Sequence, residues 1–83
     1  MTLNKLKNEV KAIMSDLETD CLTIDCCDYS VRGTLLTHCY YNEETDTFAF
    51  TSGEMYKDKH AEELILNEIQ QIEIFNNIIE CYN

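Results

Sequence analysis

The spacing of the hydrophobic residues changes twice along this chain, and these two changes predict its secondary structure. Over residues 3 to 17 apolar positions recur every three or four residues, which is the pattern of an amphipathic helix. From Cys21 to Thr51 apolar and polar residues alternate in places, as they do in strands with one buried face. From residue 58 to 82 the helical spacing returns. We therefore expect a helix, a sheet and a helical C-terminal region.

The middle of the chain predicts a three-stranded antiparallel meander. Leu22, Ile24 and Cys26 alternate with polar neighbours in the first strand, and Phe48 and Phe50 do so in the third. The segments DYSVRG and NEETD contain the Gly, Asn and Asp residues that turns favour, and we expect them to connect the strands. The fold class is therefore α+β in the order αβββα, with Thr2 or Asn4 capping the first helix.

The second strand, within GTLLTHCYY, can face the core in either of two phases. The first phase buries the more apolar set and is preferred; its members are Leu35, Thr37, Cys39 and Tyr41. The other phase would bury Leu36, His38 and Tyr40. In both, His38 is a strand residue without an identified nucleophile or carboxylate beside it, and the chain contains no recognisable catalytic motif. We therefore do not expect an enzyme.

The C-terminal region is too long to form one helix within a small domain. An unbroken helix over residues 58 to 82 would span about 37 Å, whereas a chain of 83 residues has a radius of gyration of about 12 Å. The preferred alternative is a helix pair broken around NEIQQ, with Ile74 and Ile78 covering the sheet. The other alternative is a homodimer in which Ile74, Ile78 and Cys81 form the subunit interface.

The chain is expected to be a single domain, residues 1 to 83, in the cytoplasm of a bacterial host cell. It contains no proline, internal repeat or Gly/Ser-rich linker that would mark a boundary. No stretch approaches 18 consecutive apolar residues, and lysines interrupt the N-terminal segment where a signal peptide would be apolar. We therefore predict neither a membrane span nor export.

The five cysteines predict reduced thiols and no metal site or cofactor. Their number is odd and no secretory signal accompanies them, which favours a reducing compartment. A zinc site formed by Cys21, Cys26, Cys39 and His38 is the alternative. It is disfavoured because zinc ligands usually come in C-x2-4-C pairs, whereas the adjacent Cys26 and Cys27 would point to opposite faces of a strand.

Net charge is the strongest compositional signal for function. Sixteen Asp and Glu residues against six Lys and Arg residues give a charge of -10, beyond the magnitude of roughly 2 to 8 that keeps a small domain in solution. A merely acidic, solvated surface is one interpretation, and a partner rich in Lys and Arg is the other. Direct binding to nucleic acid is disfavoured, because phosphates would be repelled and no basic stripe is present.

The segment YYNEETD, residues 40 to 46, is the predicted site of partner binding. A turn requires Asn and Asp for its backbone geometry, but it does not require Glu43 and Glu44. Carboxylates beside Tyr41 suit an arginine-rich groove, because Arg pairs bidentately with carboxylates and stacks on Tyr. The segment SDLETD precedes the first strand, and in a meander it lies at the same end of the sheet. Asp16, Glu18 and Asp20 are thus expected to extend one negative edge.

In its αβββα outline, small size, acidity and carboxylate-rich hairpin loop, the chain resembles the phage-encoded anti-CRISPR inhibitors of RNA-guided nucleases. Members of that group imitate DNA: they place carboxylates where the nuclease expects phosphates and block its arginine-lined reading of the protospacer-adjacent motif. The local matches are YYNEETD and the aspartate before the first strand. The resemblance implies that Asp20, Asn42, Glu43, Glu44 and Asp46 contact the partner.

Two functions are therefore expected from the sequence. The first is inhibition of a basic nucleic-acid-handling protein, such as a CRISPR effector nuclease, by a DNA mimic. The alternative is a self-associating adaptor or antitoxin-like module that uses the isoleucine-rich C-terminal helix.

Overall fold

A computed structural model describes residues 2–55 and 61–83 and has the predicted α+β class, with a helix at each end of a small antiparallel sheet. The helices are α1 (Leu3–Asp16) and α2 (Glu68–Tyr82), and a 3-10 turn covers Asp25–Cys27. The strands are β1 (Cys21–Thr23), β2 (Ser30–Val31), β3 (Thr34–Leu35), β4 (His38–Asn42), β5 (Thr47–Ser52) and β6 (Glu62–Leu64). Neither helix is long and apolar enough to cross a membrane.

Helix α1 forms where its hydrophobic spacing predicts it. The Thr2 hydroxyl accepts a hydrogen bond from the Lys5 amide and caps the first turn. Leu6, Val10 and Met14 recur every four residues and are buried, so one face of the helix covers the core. The helix ends one residue earlier than predicted, at Asp16.

The main sheet has four strands rather than three, in the order β1-β4-β5-β6, with all neighbours antiparallel. One buried row crosses it, because Leu22 pairs with Cys39, Cys39 with Phe50, and Phe50 with Leu64. The additional strand, β6, lies in the segment predicted to be helical. Its pairing with β5 is a long-range contact that overrides the local helical spacing.

Two further strand predictions were wrong in detail. Cys26 and Cys27 belong to a 3-10 turn instead of extending the first strand. Neither predicted phase of GTLLTHCYY holds throughout, since Leu36 and Cys39 are both buried while Leu35 is exposed. The reason is an interruption at residues 36 and 37, between β3 and β4, which breaks the alternation of faces. The preferred phase is correct from Cys39 to Tyr41, because Cys39 is buried and Tyr41 is half-buried against the core.

Segment DYSVRG turns the chain as predicted, but it forms a small hairpin of its own. Strands β2 and β3 pair with each other and form a separate two-stranded sheet. Arg32 and Gly33 connect them, and both have positive φ angles of 51° and 81°. Positive φ at both central residues matches the tight turn that suits the twist of a hairpin.

The C-terminal helix is a single helix of 15 residues that begins where a break was expected. Asn67 caps it: its side chain accepts from the Gln70 amide, and the Gln70 side chain accepts from the Asn67 amide. The predicted helical span of 58 to 82 is therefore too long, because Glu62–Leu64 is a strand. Residues 58 to 60 of that span lie outside the described residues.

The apolar face of α2 packs into the core of the same chain. Phe75 contacts the rings of Phe48 and Phe50 edge-on, with centroids 5.0 and 5.4 Å apart. Ile74 and Ile78 are fully buried within the chain, which agrees with the preferred alternative that they cover the sheet. Cys81, the third residue of the alternative subunit interface, is exposed. The Cα radius of gyration is 11.8 Å.

Candidate functional site

The β4–β5 hairpin loop is shaped by two of the residues predicted to bind a partner. Asn42 Oδ1 accepts hydrogen bonds from the amides of Glu44 and Thr45 at 3.0 and 3.3 Å. Asp46 closes the turn with a φ of 53°, a conformation that Asn and Asp tolerate better than most residues. Asn42 and Asp46 therefore have a structural role in the turn.

Glu43 and Glu44 are the residues of this loop that the turn does not use. Both are exposed, and within residues 2–55 and 61–83 neither carboxylate has a hydrogen-bond or ion-pair partner. Each is thus a solvated negative charge at the tip of a hairpin whose backbone is fixed by Asn42. Such a carboxylate can pair with a cationic side chain without breaking an existing contact.

Asp46, by contrast, is already paired with a cation of the same chain. Lys11 Nζ lies 2.8 Å from Asp46 Oδ1, and the Tyr41 hydroxyl donates to the same oxygen at 2.7 Å. The Lys11 hydrogen bond, followed by that of Tyr41, lowers the pKa of Asp46. The hydrogen bond to Asp46 in turn raises the pKa of Tyr41. This contact joins α1 to the hairpin.

The main role of the Tyr41 side chain is to support the loop by packing against other residues of the chain. Its ring packs on Phe48, with centroids 4.9 Å apart, and Lys11 Nζ lies 5.4 Å from the ring centroid. The residue is half-buried, and it lines three shallow surface depressions. Only the exposed part of Tyr41 can therefore contact a partner.

Asp20 lies beside the loop, as the meander predicts. Its carbonyl oxygen accepts a hydrogen bond from the Tyr41 amide at 2.8 Å, which fixes the segment before β1 against β4. Asp20, Tyr41, Asn42, Glu43 and Glu44 line one shallow surface depression. Five of the six predicted partner-binding residues thus share one surface. We name the exposed carboxylates of Asp20, Glu43 and Glu44 the acidic edge.

Asp16 and Glu18, which were expected to extend this edge, line none of the three surface depressions at the loop. Both are exposed at the end of α1. Glu18 adopts a φ of 54° and terminates the helix, because its amide bonds to Ser15 O and the Thr19 amide bonds to Met14 O. Its backbone conformation therefore has a structural reason of its own.

The structure also brings together three cysteines that the sequence did not connect. Cys26 Sγ and Cys27 Sγ lie 3.4 and 3.7 Å from Cys81 Sγ, and all three sulfur atoms are within 4.8 Å of one another. Burial, followed by the hydrogen bond to Cys81, raises the pKa of Cys27 to about 12. We name Cys26, Cys27 and Cys81 the thiol cluster.

The zinc site considered from the sequence does not form. Cys39 is buried at the centre of the sheet, and burial raises its pKa. His38 Nδ1 lies 2.8 Å from the hydroxyl of Thr37. Only Cys26 of that set belongs to the thiol cluster, which is the one potential metal-binding group within the described residues. The adjacent cysteines converge because a 3-10 turn, unlike a strand, does not alternate side chains between opposite faces.

No family model, no curated protein and no solved structure matches this chain.

Proposed function

We propose that this chain is a small acidic binding protein that inhibits a basic nucleic-acid-handling protein by occupying its phosphate-binding surface. The observation that carries the proposal is the acidic edge: Asp20, Glu43 and Glu44 are exposed around one surface depression. The backbone that carries them is held by a hairpin and a sheet instead of a flexible tail. Carboxylates presented on such a backbone can replace phosphates before an array of Arg side chains.

The charge of the chain supports a basic partner. The net charge is -10, and Lys11, which lines a surface depression together with Asp20 and Glu43, is paired with Asp46. The long-range field therefore attracts a positively charged surface and steers its approach. The same field opposes direct binding of DNA or RNA to this chain.

The specific partner that we propose is an RNA-guided nuclease of a bacterial host cell, which would make the chain an anti-CRISPR protein that mimics DNA. Such a nuclease reads its protospacer-adjacent motif with arginines that contact base edges in the major groove. The acidic edge offers these arginines carboxylates on a backbone of fixed shape. Asp20, Glu43 and Glu44 would form the ion pairs, while Asn42, Tyr41 and Asp46 would hold the loop in its shape.

The alternative function, a self-associating adaptor or antitoxin-like module, gains no support from this fold. Two of its three proposed contacts, Ile74 and Ile78, lie in the core, and the third, Cys81, is exposed.

The first prediction tests the acidic edge. Reversing Glu43 and Glu44 to Lys should weaken binding to the nuclease by at least about 100-fold, because each hydrogen bond to a charged group contributes roughly 1.5 to 3 kcal/mol. The measurement is DNA cleavage by a purified, guide-loaded RNA-guided nuclease with arginines at its motif-reading site. The wild-type chain should suppress cleavage, and the double variant should not.

The matched control reverses Glu62 and Glu73 to Lys. These exposed residues line none of the surface depressions at the hairpin loop, and their reversal changes the net charge equally. Inhibition should survive in this variant. Equal losses in both variants would assign the effect to overall charge, and a wild-type chain without effect on such nucleases would contradict the proposed partner.

A further inference from the structure

We propose that Cys26, Cys27 and Cys81 form a binding site for one thiophilic divalent cation, with zinc as the reference ion. The proposal is independent of the acidic edge, because none of its residues lines a surface depression at the hairpin loop.

The sulfur positions already approximate those of a metal site. Zinc binds thiolate sulfur at about 2.3 Å in tetrahedral geometry, which separates neighbouring sulfurs by about 3.8 Å. Here Cys81 Sγ lies 3.4 Å from Cys26 Sγ and 3.7 Å from Cys27 Sγ. All three atoms lie within 4.8 Å of one another, so small side-chain adjustments suffice to place one ion between them.

The fold holds these sulfurs together although they lie far apart in the sequence. Cys81 is in the last turn of α2, and the buried Ile78 one turn earlier anchors that helix in the core. The hydroxyl of Tyr82 donates to the Thr23 carbonyl at 2.6 Å and joins the end of α2 to β1. Ile24, which precedes the 3-10 turn, is fully buried. Both sides of the thiol cluster are thus fixed before any ion binds.

The cluster is also open to solvent, as an ion-binding site requires. Cys26 and Cys81 are exposed, and a shallow surface depression at the cluster is lined in addition by Asn77 and Glu80. Three thiolates leave the fourth tetrahedral position for a water molecule or a carboxylate oxygen. Glu80 is the side chain in this depression that can supply such an oxygen.

Charge favours a divalent over a monovalent soft ion. When the three thiols release their protons to solvent, the site carries three negative charges. A bound divalent ion reduces this charge to -1, whereas Cu(I) reduces it only to -2. In a chain of net charge -10 the smaller remaining charge is less opposed by the surrounding field. Thiolate ligands select against Mg²⁺ and Ca²⁺, which prefer oxygen.

The test uses Co²⁺ as a spectroscopic substitute for zinc. The full-length chain, kept reduced with a phosphine, should develop a sulfur-to-cobalt charge-transfer band and the strong visible bands of tetrahedral cobalt. These should saturate at one ion per chain and disappear when Zn²⁺ is added. A wild-type chain that develops no such bands would overturn the proposal. The proposal would also be overturned if the isolated chain contained a disulfide, detected as a mass lower by two hydrogens, and bound no cobalt after that disulfide was reduced.

Two cysteine variants with equal thiol content make the test specific. Cys81→Ser should lose the tetrahedral cobalt spectrum. Its affinity for cobalt should fall by at least the roughly 10- to 100-fold that is typical of losing an outer-shell partner. Cys21→Ser, at a half-buried cysteine outside the cluster, should retain the spectrum. Circular dichroism checks that both variants are folded. Equal loss of cobalt binding in both would contradict the assignment of the ligands.

Discussion

At the scale of single residues, the turns of this chain depend on backbone conformations that most side chains avoid. Within residues 2–55 and 61–83, four residues other than glycine have positive φ angles between 51° and 54°: Glu18, Asp28, Arg32 and Asp46. Each lies at the end of a helix or in a turn between strands. The left-handed conformation costs roughly 1 to 2 kcal/mol for a residue with a Cβ atom. These positions are therefore sites where substitution can raise stability.

Glu18 provides the clearest test of this cost. Glu18→Gly should raise the free energy of unfolding by up to about 1 kcal/mol, since glycine adopts the conformation without strain while its more flexible unfolded state offsets part of the gain. The measurement is denaturant unfolding followed by circular dichroism. Glu18→Gln, which removes the charge but keeps the side chain, should have a smaller effect. If both variants were stabilised equally, the charge at the helix end would be responsible.

At the scale of secondary-structure elements, the sequence predicted those helices and strands that are determined by interactions within the element itself. Helix α1 was predicted correctly because its cap at Thr2 and its apolar stripe both lie within the helix. Strand β6 was missed because Leu64 fits helical spacing with the residues that follow, and only pairing with β5 selects a strand. The segment contributes Glu62 and Glu63, which carry no local strand signal.

The same distinction explains how much of the candidate site could be predicted. The approach of Asp20 to Glu43 and Glu44 follows from antiparallel pairing, and the sequence predicted it. The pairing of Asp46 with Lys11 spans 35 residues, and no pattern in the sequence indicates it. The thiol cluster spans 55 residues between Cys26 and Cys81 and was missed for the same reason. The available signal was the adjacent pair Cys26 and Cys27. A helical instead of a strand geometry for this pair would have placed both sulfurs on one side.

Helix α2 allows a direct comparison between a core and a surface isoleucine. Ile78→Ala should lower the free energy of unfolding by about 2 to 5 kcal/mol, because Ile78 is fully buried and its loss leaves a cavity. Ile69→Ala, on the same helix with 71% of the side chain exposed, should change it by less than about 0.5 kcal/mol. Urea unfolding measures both. A large loss for Ile69→Ala would indicate that another molecule covers this face in solution.

At the scale of the whole molecule, the excess of carboxylates determines which partners can approach. Lys5, Lys7 and Lys11 all belong to α1, and Lys11 is paired with Asp46. We therefore predict that the isolated chain does not shift duplex DNA in a gel at physiological salt, because the phosphates are repelled. A shift under those conditions would contradict the proposed mimicry of DNA.

The proposed binding to a basic protein should depend on salt in a related way. Exposed ion pairs weaken as the Debye length falls from about 10 Å at 0.1 M to about 3 Å at 1 M. Affinity of the wild-type chain for the nuclease should therefore fall steeply over this range, as measured by calorimetry. An affinity independent of salt would indicate an apolar interface instead of the acidic edge.

Strand β6 has a consequence for how copies of this chain behave toward one another. Among the described residues it pairs with β5 alone, so its other side presents backbone groups that can recruit a further strand. The carboxylates of Glu62 and Glu63 oppose such addition by mutual repulsion between copies. The repulsion between whole copies weakens as the pH approaches the isoelectric point of about 4.3, where the net charge of the chain falls to zero. Acidic conditions thus favour pairing between copies through the edge strand β6.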